Sequence, residues 1–93
     1  MPFRLLYHPA VVADDLPRLE AKARERVHRA ILARLPTEPE KYGKPLRFTL
    51  KGLWSLRVGD WRIIYRIAAD EVWILKIGHR RDVYGDAPRR SSP

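Results

Sequence analysis

The chain has no cysteine among its 93 residues. Disulfides, thiolate zinc sites and thiol nucleophiles are therefore excluded, and a reducing compartment suits it. It has no apolar run near the roughly 20 residues that span a bilayer. Its opening, MPFRLLYHPAVVADD, lacks the charged, apolar and small-residue succession of a secretion signal. A cytoplasmic protein without membrane contact is expected. Glycine is sparse, at 5, and forms no phosphate-cradling loop, and no serine sits in a nucleophile elbow. The histidines are scattered, with His8 and His28 incidental, and no carboxylate pair stands at ligand spacing. Neither a metal, another cofactor nor a small-molecule ligand is expected. Internal repeats and low-complexity tracts are absent as well.

What is present is one ordinary globular domain. Apolar residues make up 45% of the chain, with 3 Trp, 4 Tyr and 2 Phe, which excludes wholesale disorder. At this length the core is small and stability modest. Charge is more informative. Lys plus Arg is 19 against 11 Asp plus Glu, a formal net charge of +8. Fourteen of the 19 cations are arginine. Residues 1–40 carry 7 basic and 6 acidic side chains, net +1, and residues 41–93 carry 12 and 5, net +7. A basic half points to a polyanion or an acidic protein, and arginine favours bidentate phosphate contact and base stacking. A merely solvated basic surface explains the charge equally well on its own.

Phe3–Tyr7 reads as a first strand. Pro9 suits the first turn of a short helix ending between Leu16 and Glu20, with Pro17 blurring the boundary. Ala23, Val27, Ile31 and Leu35 recur every four residues and predict an amphipathic helix over 20–35, closed by Pro36 and Pro39. Residues 36–52 are rich in Pro, Gly and charge and read as a long loop, of the kind that is more often functional than filler. Alternation then predicts strands at 53–58, 61–67 and 72–78, joined by tight turns at Gly59-Asp60 and Ala69-Asp70. The expected fold is a small α+β domain: an N-terminal strand and two helices packed on an antiparallel sheet completed by a three-stranded meander. One sheet face is then partly free to bind.

The tight turn sets Arg57 and Arg62 near one another on one sheet face. The third meander strand delivers His79, Arg80, Arg81 and Tyr84 close by, and Lys44, Arg47 and Lys51 border them from the loop. Clustered cations repel unless a polyanion neutralises them, and a phosphodiester is the natural one. Each residue alone has a plainer reading: solvated strand arginines, a hydrogen-bonded edge histidine, a tyrosine packed on the sheet.

The stretches GKPLRFTLKGLWSLRVGDWRIIYRI (43–67) and VWILKIGHRRDVYG (72–85), with the strand–helix–helix–meander order, resemble the RelE/ParE superfamily of type II toxin–antitoxin toxins, on its RelE-like branch. The resemblance covers roughly residues 3–85, so it implies a toxin domain over 1–85 and a flexible basic tail over 86–93. For RelE-like members it implies a ribosome-dependent endoribonuclease (mRNA interferase) that cuts translated mRNA by attack of a ribose 2′-hydroxyl on the adjacent phosphate. Arg57, Arg62, His79, Arg81 and Tyr84 then match catalytic positions: the arginines on phosphate, His79 as acid or base, Tyr84 stacked on a base. Lys44, Arg47, Lys51 and Arg80 are expected RNA contacts. Partners implied are the ribosome, mRNA and a cognate antitoxin with an acidic C-terminal segment. The chain departs from the family at Ser55, where a lysine or glutamate is common, so the general base stays open. ParE-like relatives share the fold and inhibit DNA gyrase instead, and an inactive antitoxin-binding module is a third alternative.

Overall fold

The computed structural model describes residues 2–84 and residue 90. The chain runs β1 (Arg4–Tyr7), a π-helical turn (Val11–Asp15) leading into α1 (Leu16–Arg18), α2 (Ala21–Arg34), α3 (Pro39–Tyr42), β2 (Lys44–Pro45), a 3-10 turn (Phe48–Leu50), β3 (Trp54–Val58), β4 (Trp61–Ala68) and β5 (Glu71–His79). The five strands form one sheet in the order β1-β5-β4-β3-β2. The meander strands begin and end within a residue of their expected limits, because alternation and the two turns specify them together.

Three features differ from the expectation. The sheet is mixed: β1 runs parallel to β5, while the remaining pairs are antiparallel. β2 runs opposite to β1, and the three reversals that follow bring β5 back to the direction of β1. The first helix is broken into a wide turn and a short α segment. Pro17 has no N–H for the Ala13 carbonyl, and its ring would collide with it, so the backbone widens just before it. The stretch 36–52 is largely structured, holding α3, β2 and the 3-10 turn. Its anchor is Tyr65, whose hydroxyl donates to the Pro39 carbonyl. A Cβ on Gly43 would lie 1.7 Å from that hydroxyl, so only glycine lets the chain pass.

The helix-side face of the sheet carries Leu56, Val58, Ile63, Tyr65, Val72, Ile74 and Ile77, buried against Val11, Leu19, Val27, Ile31 and Leu35. Each such aliphatic side chain contributes about 1.5–3 kcal/mol on burial. The opposite face is not bare. Leu53, Ile64, Leu75 and Val83 form a second, smaller core there, flanked by Leu46, Leu50 and Trp73. The loop after β2 thus covers one end of that face and the chain after β5 covers the other. The basic tail expected over 86–93 lies outside the described residues except for Arg90. No helix among the described residues is long and apolar enough to cross a membrane.

Candidate nucleic-acid interface

Gly59 occupies the first position of the β3–β4 turn with φ +61, a conformation that suits glycine. The turn closes on the pair Val58↔Trp61, so Arg57 and Arg62 stand directly opposite each other in the register, with Gly78 the next partner of Arg62 across the sheet. Paired residues share a face, and this one carries Ser55 and Ile64, not the helices. One row along, Lys44 on β2 pairs with Ser55. Ser55 is buried, with an exposed lysine as its cross-strand neighbour.

Opposed like charges cost stability. Arg62 relieves part of that cost by folding back: its Nη1 donates to the Gly59 carbonyl at 2.9 Å and the Trp61 carbonyl at 3.0 Å. The guanidinium is half-buried and fixed in place. Arg57 is exposed.

The chain after β5 turns sharply. Arg80 N–H donates to the Asp60 carbonyl, tying the strand end to the β3–β4 turn, and Asp82 N–H donates to the His79 carbonyl, each at 2.9 Å. Arg81 N–H donates to His79 Nδ1 at 3.3 Å. The turn carries the chain onto the arginine face, where Val83 is buried and would lie 3.7 Å from a Cβ at Gly78. Arg80, Arg81 and Tyr84 are exposed on this segment, and Lys44, Arg47 and Lys51 are exposed on the loop at the other end of the face.

His79 is not on that face. It pairs with Trp61 and meets its ring edge-on, centroids 5.9 Å apart, on the helix side of the sheet. At the edge of β5 it lines a cleft of about 220 Å³ with Arg18, Lys76 and Asp82. The structure therefore brings Arg57, Arg62 and Val83 to one face and sets the imidazole on the other. Its Nδ1 accepts a backbone N–H, which puts the proton of the neutral ring on Nε2.

Sequence reasoning missed two features. Beyond β1, the free edge of β5 is sealed by charge. The buried Asp15 carboxylate accepts the Ile77 N–H at 2.9 Å, Lys76 Nζ at 3.2 Å and Arg90 Nη1 at 2.7 Å, and Arg90 also donates to the Leu75 carbonyl. A lysine inside the apolar run VWILKIG was the visible signal. The second is a groove of about 350 Å³ between α2 and the β3 edge, where Arg57 meets Arg26, Arg29 and Arg34. Arg57 therefore stands between two basic surfaces.

The domain is thus a small mixed sheet with helices on one face and a cross-strand arginine pair on the other. Residues 3–84 match the family model described as ParE toxin of the type II toxin–antitoxin system parDE, and the chain belongs to that toxin family. It is 39% identical over 86 residues to Toxin RelG of Mycobacterium tuberculosis, covering 90% of this chain and 98% of that one. Toxin RelE of the same organism is 37% identical over 89 residues, covering 90% and 92%. Among solved structures, the toxin–antitoxin complex RelBE2 of M. tuberculosis superposes with TM-score 0.79 at 33% identity, over 86% of this chain and 100% of that one. A mutant of E. coli toxin RelE in the free state gives TM-score 0.75 at 17% identity over 97% and 98%, a likeness of fold.

Proposed function

We propose that this toxin is a ribosome-dependent endoribonuclease that cuts mRNA under translation. The observation that carries the reading is the cross-strand pair Arg57–Arg62, on the face where the chain after β5 buries Val83, next in sequence to the exposed Tyr84 and two residues from the exposed Arg81. The similarity to proteins named Toxin RelE and Toxin RelG supports it. In the reaction, the ribose 2′-oxygen bonds to the adjacent phosphorus and loses its proton. The bond to the 5′-oxygen breaks, and that oxygen gains a proton. The products are a 2′,3′-cyclic phosphate and a 5′-hydroxyl. Charge accumulates on the non-bridging oxygens, where Arg57, Arg62 and Arg81 stabilise it, Arg62 already held by two carbonyls. Arginine stays charged, so these residues hold charge and do not move protons. Tyr84 stacks on a base, and Lys44 and Arg80 add phosphate contacts. His79 shapes the turn that presents Arg81. Induced expression with primer extension on a reporter mRNA tests this: cuts should fall within translated codons and be absent from an untranslated copy. Blocked growth with intact message refutes it.

A second reading is favoured by the family model itself, which is described through parDE. A gyrase inhibitor predicts inhibited supercoiling by the purified protein and DNA damage in cells, with no cleaved message.

For partner, the solved relative in complex with its antitoxin supports an antitoxin here too. A chain of net charge +8 calls for an acidic inhibitory segment. Such a segment folding onto the basic surfaces would silence the toxin.

A further inference from the structure

We propose that Phe48 is a stacking platform for a base of single-stranded RNA, a subsite at the far end of the arginine face from the 80–84 segment; this rests on the RNA-directed reading above. Phe48 is 92% exposed, while the leucines two residues to either side, Leu46 and Leu50, pack on the second core. What turns it outward is its backbone. Phe48 has φ +58, a left-handed conformation that is costly for a bulky aromatic residue and that the surroundings must impose. They do so with four hydrogen bonds: Leu46 N–H to the Leu53 carbonyl, Leu50 N–H to Arg47, Lys51 N–H to Phe48 and Leu53 N–H to Leu50, all between 2.9 and 3.1 Å. The loop is thus clamped at both ends and stores strain to display a ring that it could have buried.

The surroundings indicate what the ring meets. Residues 43–59 contain no Asp or Glu and four cations, Lys44, Arg47, Lys51 and Arg57. Arg47 and Lys51 bracket Phe48 and are exposed. An aromatic face between cations, in a stretch free of carboxylates, fits a nucleotide: ring on base, ammonium and guanidinium on the flanking phosphates. It requires an unpaired base, since duplex bases offer no free face. Stacking tolerates any base, so the platform holds the strand without choosing its sequence.

The test uses the full chain and a short single-stranded RNA carrying one 2-aminopurine, whose fluorescence falls on stacking, beside the same RNA with an abasic site. The parent should quench the probe. Phe48→Ala and Phe48→Leu should lose the quenching and bind about 5–150-fold more weakly, the range of one stacked base. Phe48→Trp should keep both, and the abasic RNA should bind parent and Phe48→Ala alike. Leucine separates stacking from mere apolar contact. Parent-like quenching and affinity in Phe48→Leu overturns the platform. So does a Phe48→Ala variant that binds RNA normally but fails to capture the antitoxin, which makes the ring a protein contact. Cleavage on programmed ribosomes, run in parallel, separates this from the functional reading. Stacking without cleavage leaves the platform and removes the nuclease; cleavage indifferent to all three substitutions does the reverse; neither binding nor cleavage removes both.

Discussion

At the scale of single residues, Arg62 and His79 separate charge stabilisation from positioning. Arg62→Ala removes one pre-oriented cation from the phosphate oxygens, and the cleavage rate should fall about 10²–10³-fold. Stability should drop by only about 1 kcal/mol, since the turn carbonyls it leaves can bind water; a thermal melt checks that half. For His79 the position across the sheet argues against direct proton transfer. Its Nδ1 holds the Arg81 N–H, an acceptor role that an asparagine oxygen can fill. His79→Ala should therefore slow cleavage, and His79→Asn should restore most of it. Equal and large losses in both variants, with a changed pH–rate profile, would return the imidazole to proton transfer, an effect of about 10²–10⁴. Arg57 and Arg62 were legible as neighbours because a two-residue turn fixes the register. The face of His79 was not, because its alternation can be read only after the Trp61↔His79 pairing is known.

Among the elements, the β5 edge and the Tyr65 anchor hold the site's frame. Asp15→Ala would remove the carboxylate that Lys76 and Arg90 share and leave the buried Ile77 N–H without its acceptor, and unfolding titrations should show about 1–3 kcal/mol lost. An exposed-charge result, below about 1 kcal/mol, would mean that the edge is sealed otherwise. Tyr65 stacks on Trp54 and bonds the Pro39 carbonyl, and burial, with the charge of Glu40 adding, pushes its phenol well above the ordinary tyrosine range. Burial raises Tyr7 too. The folded state keeps these protons where the unfolded chain has released them. Stability is therefore full below about pH 10 and should decline as pH rises past it. Tyr65→Phe should flatten that decline while lowering stability at neutral pH. Helix α2 and the meander were legible because period and turn chemistry are local signals. The parallel pairing of β1 and the structured 36–52 stretch were not, because each depends on a distant partner, β5 and Tyr65; the break in the first helix is local, and Pro17 marked its place but not its widened form.

Over the whole molecule, Arg57 borders two basic surfaces, the arginine face and the groove beside α2. Binding to single-stranded RNA should weaken steeply with salt, with a log–log slope of about −0.7 per phosphate contacted. Capture by an acidic antitoxin should lose on-rate more than residence time over the same salt range. The most direct test of the central claim is cleavage of an end-labelled message on programmed ribosomes, with one ribose at the cut site replaced by its 2′-deoxy form. Cleavage of the unmodified message to a 2′,3′-cyclic phosphate, lost at the deoxy position and reduced about 10²–10³-fold by Arg62→Ala, is the predicted result. Unbroken message on ribosomes, or cutting that ignores both the missing hydroxyl and the missing arginine, would contradict it.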